Sequence, residues 1–156
     1  GKKASIVAKM NSLADKDLIE KLYDASQAGV KIKLIVRGIC CLIPEAKGIS
    51  ENIQVYSVIG RFLEHSRVFI FNNLGNKKVF LSSADWMSRN LNRRVEILFP
   101  IEDEKCKNKV IDIIDITLRD NVNLRKIKSD GSYENISTAH VFNAHDELYK
   151  YAKKYF

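Results

Sequence analysis

Apolar residues recur along this chain in two rhythms, and the switches between them lay out its elements. Residues 4–11 form a short apolar run of strand length. From Asn11 to Asp17 the chain carries helix-start chemistry, with Asp17 and Glu20 three residues apart as in a capping box. Leu18, Ile19, Leu22, Tyr23 and Ala25 then fall on one helical face, and Gly29 stands where a left-handed cap ends a helix. Residues 31–36 read as a buried strand. Strand, helix and strand with short joints predict a right-handed crossover and a parallel pair. Arg37-Gly38 therefore sits just past the carboxyl end of a parallel strand, where open α/β sheets place their ligands.

After a long loop at 38–50, the pattern predicts a strand at 53–58 and a compact connection at 59–66. Residues 67–71 and 77–81 predict a hairpin around the five-residue loop Asn72-Asn73-Leu74-Gly75-Asn76. Residues 82–92 are polar apart from Trp86 and Met87 and read as a structured loop. A strand at 94–99, stopped by Pro100, puts Arg94 and Glu96 on one face and Arg93 on the other. Residues 104–119 are amphipathic, with Val110, Ile113, Ile114, Thr117 and Leu118 facing inward. A last strand at 122–127, a loop at 129–137 and a C-terminal helix at 138–155 carrying Tyr149, Ala152 and Tyr155 complete the chain. No internal repeat is visible. The sum is one mixed α/β sheet with helices packed on it.

Composition narrows the class. With 46% hydrophobic residues among 156, the chain can build one core, and chains of this size bury roughly 70% of their unfolded surface. That content excludes disorder, and seven Gly with two Pro exclude collagen-like classes. No apolar run approaches the ~20 residues of a membrane span, and the first residues hold no signal-peptide core. A soluble piece without a transmembrane segment is expected. Cys40, Cys41 and Cys106 make neither a disulfide framework nor zinc spacing, so a reducing cytoplasm is the expected compartment.

A net charge of +7 favours phosphate-bearing partners. Its distribution is sharper than its sum. Residues 37–94 hold six Arg and three Lys, and the remaining residues hold two Arg and fifteen Lys. The planar guanidinium grips phosphate oxygens with two parallel bonds, whereas ammonium acts as a point charge. The arginine-rich middle therefore reads as a recognition surface, although Glu51, Glu64, Asp85 and Glu96 could equally pair with these arginines.

His65 is the most informative histidine, set in Arg61-Phe62-Leu63-Glu64-His65-Ser66-Arg67. An imidazole among arginines can bond a phosphoryl oxygen, shuttle a proton or attack phosphorus. A structural pairing with Glu64 is the plainer role. His140 and His145 are five apart and do not share a helical face, so no metal site is expected there. In Ser82-Ser83-Ala84-Asp85-Trp86-Met87, donors could meet an anion while Asp85 orients a base or an arginine.

Several blocks together resemble the C-terminal region of the polyphosphate kinase 1 family. They are Lys9-Met10-Asn11-Ser12-Leu13, the run from Tyr23 to Ile32, Val36-Arg37-Gly38-Ile39-Cys40, Gly48-Ile49-Ser50-Glu51-Asn52-Ile53, Gly60-Arg61-Phe62-Leu63-Glu64-His65-Ser66-Arg67, and Ser82-Ser83-Ala84-Asp85-Trp86-Met87-Ser88-Arg89-Asn90-Leu91. They occur in the family's order and spacing across essentially the whole chain. The resemblance implies a phospholipase D-like mixed β-sheet flanked by helices, as a single domain over 1–156.

It also implies a function. In that family ATP gives its terminal phosphate to a histidine, which passes it reversibly and with magnesium to inorganic polyphosphate. The phosphorylated histidine and the arginines that help hold Mg2+ lie in the preceding domain. What the resemblance carries over to this chain is Arg37 and His65 as ATP- and phosphate-binding residues, with His65 in the catalytic role; Arg61, Arg67, Asp85 and Arg94 are added as candidate supporting residues from their place in the basic stretch. Partners implied are ATP or ADP, polyphosphate, the preceding domains and further copies of the full-length chain. Nucleic acid is not expected, and a cytoplasmic enzyme, peripheral at the membrane when full length, is.

The phospholipase D signature of His-x-Lys, four residues and Asp is altered here. Arg67 replaces the Lys and Asn72 occupies the Asp position, while Asp85 stands where a later motif usually has Asn. These departures count against the alternative of a homodimeric phosphodiesterase or nuclease. The aromatics Phe62, Phe69, Phe71, Phe80 and Trp86 fall largely at core-like positions, which counts against a polyanion-binding module. Ser88 stands where the family often has Pro, a change expected to be silent.

Overall fold

The parallel centre of the sheet follows from the first 60 residues. In the computed structural model, which describes residues 4–154, strand β1 (Ala4–Met10) runs into helix α1 (Lys16–Gln27) and back into β2 (Lys31–Val36). β1 and β2 pair in parallel, and β3 (Ile53–Val58) adds in parallel to β2. The helix begins at Asp15, whose carboxylate accepts from the Leu18 N–H, so the cap lies two residues before the expected Asp17. Gly29, at φ +88°, makes the left-handed exit.

Antiparallel strands extend both edges. β4 (Arg67–Asn73) pairs with β1, and β5 (Asn76–Ser82) pairs with β4. The hairpin loop is two residues rather than five, because Leu74 and Gly75 both take positive φ and the ladder runs on to Asn73 and Asn76. After the short helix α2 (Ser88–Arg93), β6 (Leu98–Pro100) pairs with β5 as the edge strand. Helix α3 (Glu104–Leu118) leads to β7 (Leu124–Ile127), antiparallel to β3, then β8 (Tyr133–Asn135) and helix α4 (Ala144–Ala152). The order across the sheet is β6-β5-β4-β1-β2-β3-β7-β8.

Alternation along the strands builds two apolar layers. Ala8, Met10, Leu34, Val36, Val55 and Phe69 meet Ile19 and Leu22 of α1 on one face. Ile35, Val58, Val68, Ile70 and Val79 meet Ile114 of α3 on the other. Ile113, expected inward, is partly exposed, because Val110, Ile111, Ile114 and Leu118 make the packed stripe. Among the described residues no helix is long and apolar enough to cross a membrane.

Four further expectations change. The polar stretch at 82–92 holds all but the last residue of α2, with only Asn90 buried, so apolar period could not announce it. The strand placed at 94–99 pairs only at Leu98–Pro100, with Pro100 inside it, as an edge strand permits. The stretch at 129–137 contains β8, hidden by its polarity. The terminal helix starts at 144 rather than 138, because Asn121 donates to the His140 carbonyl and accepts from the Phe142 N–H, holding that segment irregular. Asn143 then caps the helix. Tyr155 and Gly1-Lys2-Lys3 lie outside the described residues.

Candidate functional site

The carboxyl ends of the parallel strands and the start of β4 share one edge of the sheet, and three loops are tied together there. Leu13, fully buried, donates to the Ile39 carbonyl and accepts from the Cys41 N–H. The next two backbone N–H groups, of Ala14 and Asp15, both donate to the Trp86 carbonyl, 2.8 and 2.9 Å away. Backbone hydrogen bonds therefore join the loops after β1, β2 and β5. Ser88 is not idle in this arrangement: it opens α2, where Pro is also tolerated, and its hydroxyl donates to Asp15.

On this base, Arg67, Asp85 and His65 form one hydrogen-bonded group. The Arg67 guanidinium donates from Nε (3.1 Å) and Nη2 (3.0 Å) to the two oxygens of buried Asp85. Asp85 Oδ1 also accepts from the backbone N–H of Asn11 (2.7 Å) and Ser12 (3.2 Å). Burial pushes the Asp85 carboxyl up, but these donors outweigh it and hold the group below the usual carboxylate range. The remaining side of Arg67 faces His65: Nη1 donates to the His65 carbonyl, and Nη1 and Nη2 lie 3.4 and 3.2 Å from the two ring nitrogens. His65 thus pairs with Arg67, not with Glu64, and its ring is exposed.

Arg37 differs in how much of it is engaged. Its Nε donates to the Asn11 side chain at 2.8 Å, and among the described residues no partner holds its two terminal nitrogens. Asn11 therefore links both arginines, with its side chain on Arg37 and its N–H on Asp85. Arg67 is bonded on both sides, whereas Arg37 keeps its terminal nitrogens unengaged among the described residues, and His65 joins it only through the chain Arg67–Asp85–Asn11. Asp85 accepts three hydrogen bonds on Oδ1 and one on Oδ2, and so fixes Arg67 against the exit of β1.

Two residues named from the sequence stand apart from this group. Exposed Arg61 places its guanidinium 5.4 Å from the Phe62 ring centre. Arg94 lies with Glu96 in a groove of about 460 Å³ that also meets Phe69, Phe80 and Trp86. Its chain segment follows α2 on the face of the sheet that carries Phe69. Glu96 accepts there from Ser83 and Asn90, which hold its carboxyl below the ordinary value.

Sequence reasoning missed a buried triad beneath His65. Lys9 on β1, 3% exposed, pairs with Glu64 at 3.0 Å and donates to the Ser66 hydroxyl at 3.0 Å. Glu64 also meets His145 Nε2 at 2.7 Å, so the second residue of α4 reaches the connection that carries His65. Neither a lysine within an apolar strand nor a histidine after Asn143 announces such a pairing. Arg125, on β7, was also missed; it borders a cavity together with Arg37. Among the described residues no group of three His, Cys, Asp or Glu side chains is placed to hold a metal ion.

With this geometry in hand, comparison with known proteins is specific. The family described as polyphosphate kinase C-terminal domain 2 matches residues 1–145. The polyphosphate kinase of Exiguobacterium sibiricum is 56% identical over 132 residues, covering 85% of this chain and 18% of that protein. The crystal structure of polyphosphate kinase from Porphyromonas gingivalis superposes with a TM-score of 0.96 at 44% identity, over 99% of this chain and 24% of that one. The phospholipase D family member Nuc from Salmonella typhimurium superposes at a TM-score of 0.62 and 17% identity, over 81% of this chain and 84% of that one. That last likeness is one of fold. The chain spans about a fifth of the length of the curated relatives it matches.

Proposed function

This chain belongs to the polyphosphate kinase C-terminal domain 2 family, and from that premise we propose that it forms one wall of a site that reversibly moves the terminal phosphate of ATP onto inorganic polyphosphate. The observation that carries the reading is the contrast between the two arginines at the sheet edge. Among the described residues the Arg37 side chain is anchored at Nε alone, whereas Arg67 is spent on Asp85 and His65. A guanidinium whose two terminal nitrogens keep their N–H donors, at the same sheet edge as an exposed imidazole, matches a phosphoryl group, whose charge spreads over its equatorial oxygens as transfer proceeds.

In this mechanism Arg37 binds those oxygens through its terminal nitrogens. The Asn11 bond limits its rotation, so little reorganisation is needed as charge develops. His65, steadied by Arg67, donates a hydrogen bond to a bridging or terminal oxygen. The phosphorylated histidine belongs to the part of the enzyme that precedes this chain, as do the arginines that help hold magnesium. Among the described residues Asp85 is committed to Arg67 and two backbone N–H groups, and no group of three His, Cys, Asp or Glu side chains is placed to hold magnesium. The ion belongs with the nucleotide phosphates, and no step of this chain runs through it.

A cytoplasmic setting fits the three free cysteines and the ATP substrate. Assembly with the preceding domains and with further copies completes the picture. Phosphodiester hydrolysis, the second reading, is disfavoured by geometry. The arginine in the lysine position is bonded to Asp85, and Asn72 is held in the hairpin turn at the far end of β4, accepting from the Gly75 N–H.

The test is turnover by the full-length enzyme together with calorimetric titration of long-chain polyphosphate and Mg-ATP. Arg37→Ala is expected to lower turnover by roughly 100-fold or more, about 3 kcal/mol, as loss of a charged transition-state donor does. His65→Ala is expected to weaken binding of both ligands. Near-normal turnover in Arg37→Ala overturns the assignment.

A further inference from the structure

Past Arg37, on the side away from His65, the sheet edge opens into a cavity of about 370 Å³ lined by Arg37, Ser57, Ile59, Asn123, Arg125 and Tyr133. No carboxylate lines it, and neither arginine forms an ion pair among the described residues. Arg125 is set in place: its Nη1 donates to the carbonyls of Val122 at 2.8 Å and Leu124 at 3.0 Å. That leaves Nε and Nη2 for another acceptor. Ser57 lies opposite Arg125 in the β3–β7 ladder, and its hydroxyl donates to the Arg37 carbonyl at 3.3 Å. Two half-buried cations around one cavity, with no anion to balance them, disfavour the empty state and favour an anionic ligand. β2 and β7 are two strand spacings apart, about 10 Å. That span suits successive phosphoryl groups of a chain better than one terminal group.

We propose that this cavity is a second phosphate subsite, in which Arg125 grips inorganic polyphosphate several phosphoryl units behind the end held at Arg37 and His65. Asn123 and Tyr133 supply neutral donors around it, while Ser57, its one O–H given to the Arg37 carbonyl, lines the wall between the two arginines. The inference rests on the polyphosphate-transfer reading and deepens it: Arg37 serves every phosphorylated ligand, and Arg125 serves only those long enough to reach β7. Tripolyphosphate and the phosphate tail of Mg-ATP hold three phosphoryl groups each and bring no further anionic group to β7 from an end held at Arg37.

Steady-state phosphate transfer by the full-length enzyme tests this, with wild type, Arg125→Ala and Arg125→Lys each assayed on long-chain polyphosphate, tripolyphosphate and Mg-ATP. Arg125→Ala is expected to raise KM for the long chain about 10-fold, with kcat and the KM values for the short ligands within about twofold. Arg125→Lys is expected to recover part of the loss, since it keeps the charge without the fork. Tyr133→Ser, at an exposed edge-strand position, is a second variant that leaves the core intact and is expected to raise the long-chain KM about threefold. An equal rise for Mg-ATP assigns the cavity to the nucleotide and overturns the proposal. So do unchanged constants in both Arg125→Ala and Tyr133→Ser. A wild-type enzyme that transfers no phosphate to polyphosphate overturns the proposed function instead, so the two failures are told apart.

Discussion

Asp85 accepts four hydrogen bonds, two from Arg67 and two from the backbone of β1's exit, and so decides what each arginine at this edge is free to do. Replacing it with Ala strands a half-buried guanidinium and two backbone N–H groups, an expected loss of about 3–5 kcal/mol in folding stability. The pH dependence has a definite sign. Despite burial, these donors keep the folded carboxyl below its ordinary value. Its contribution is therefore present above the unfolded value of about 3.9 and is lost as pH falls through the lowered folded value. Urea unfolding of wild type and Asp85→Asn across pH 7 to 2 is expected to show a gap at neutral pH that closes in acid. A gap that does not depend on pH contradicts the charge assignment. The departure from the phospholipase D pattern also takes on meaning at this scale. Lysine at position 67 could not have formed both bonds to Asp85 and still faced His65, because an ammonium has no planar fork.

Among the elements, α4 stands out because it holds a loop distant in sequence. Its second residue, His145, meets Glu64, which in turn meets Lys9 of the central strand. The residue between Glu64 and Ser66 is His65, so the helix, the strand and the site connection share one buried polar joint. Gly60 allows the close approach: a Cβ there would lie 2.8 Å from His145 Cε1 and 3.1 Å from Nδ1. Gly60→Ala is expected to push His145 off Glu64 and to cost about 1–3 kcal/mol, as overpacking does. The same substitution should speed amide exchange across 59–66 while the core strands stay protected. A double-mutant cycle on Lys9→Met and Glu64→Gln is expected to show a coupling of about 1–3 kcal/mol, because Lys9→Met alone leaves a nearly buried carboxylate with one partner fewer. Additive effects in denaturant midpoints would contradict a shared joint.

The whole molecule is a twisted sheet with one charged edge and one apolar flank. At the β6 end, Val95, Ile97, Leu98 and Phe99 are exposed beside the groove that holds Trp86. An exposed apolar edge strand invites pairing with another chain. The isolated chain is expected to self-associate at high concentration, and Val95→Lys with Leu98→Lys to reduce that in sedimentation without lowering the unfolding free energy by more than about 0.5 kcal/mol. A midpoint that drops sharply would show that these side chains pack within the fold.

Some of this protein is local, and its sequence alone determined that part. The β1-α1-β2 crossover is legible because a short apolar run, a helical stripe and a closing Gly29 are decided by neighbours within a few residues. The crossover in turn places Arg37 beyond a parallel strand. The family blocks from Lys9 to Leu91 are likewise sequence, and they carried the expectation of a phosphate site at Arg37 and His65. Tertiary structure decided the rest. α2 and β8 are too polar to show a period, and their places depend on packing and strand pairing. Nothing near position 64 says that its partners are 55 residues earlier and 81 later, and nothing near 125 says that Arg37 is its neighbour. Side chains compete for hydrogen-bond partners only once the sheet has ordered them in space, so which arginine stays free is settled by the fold and not by the residue type.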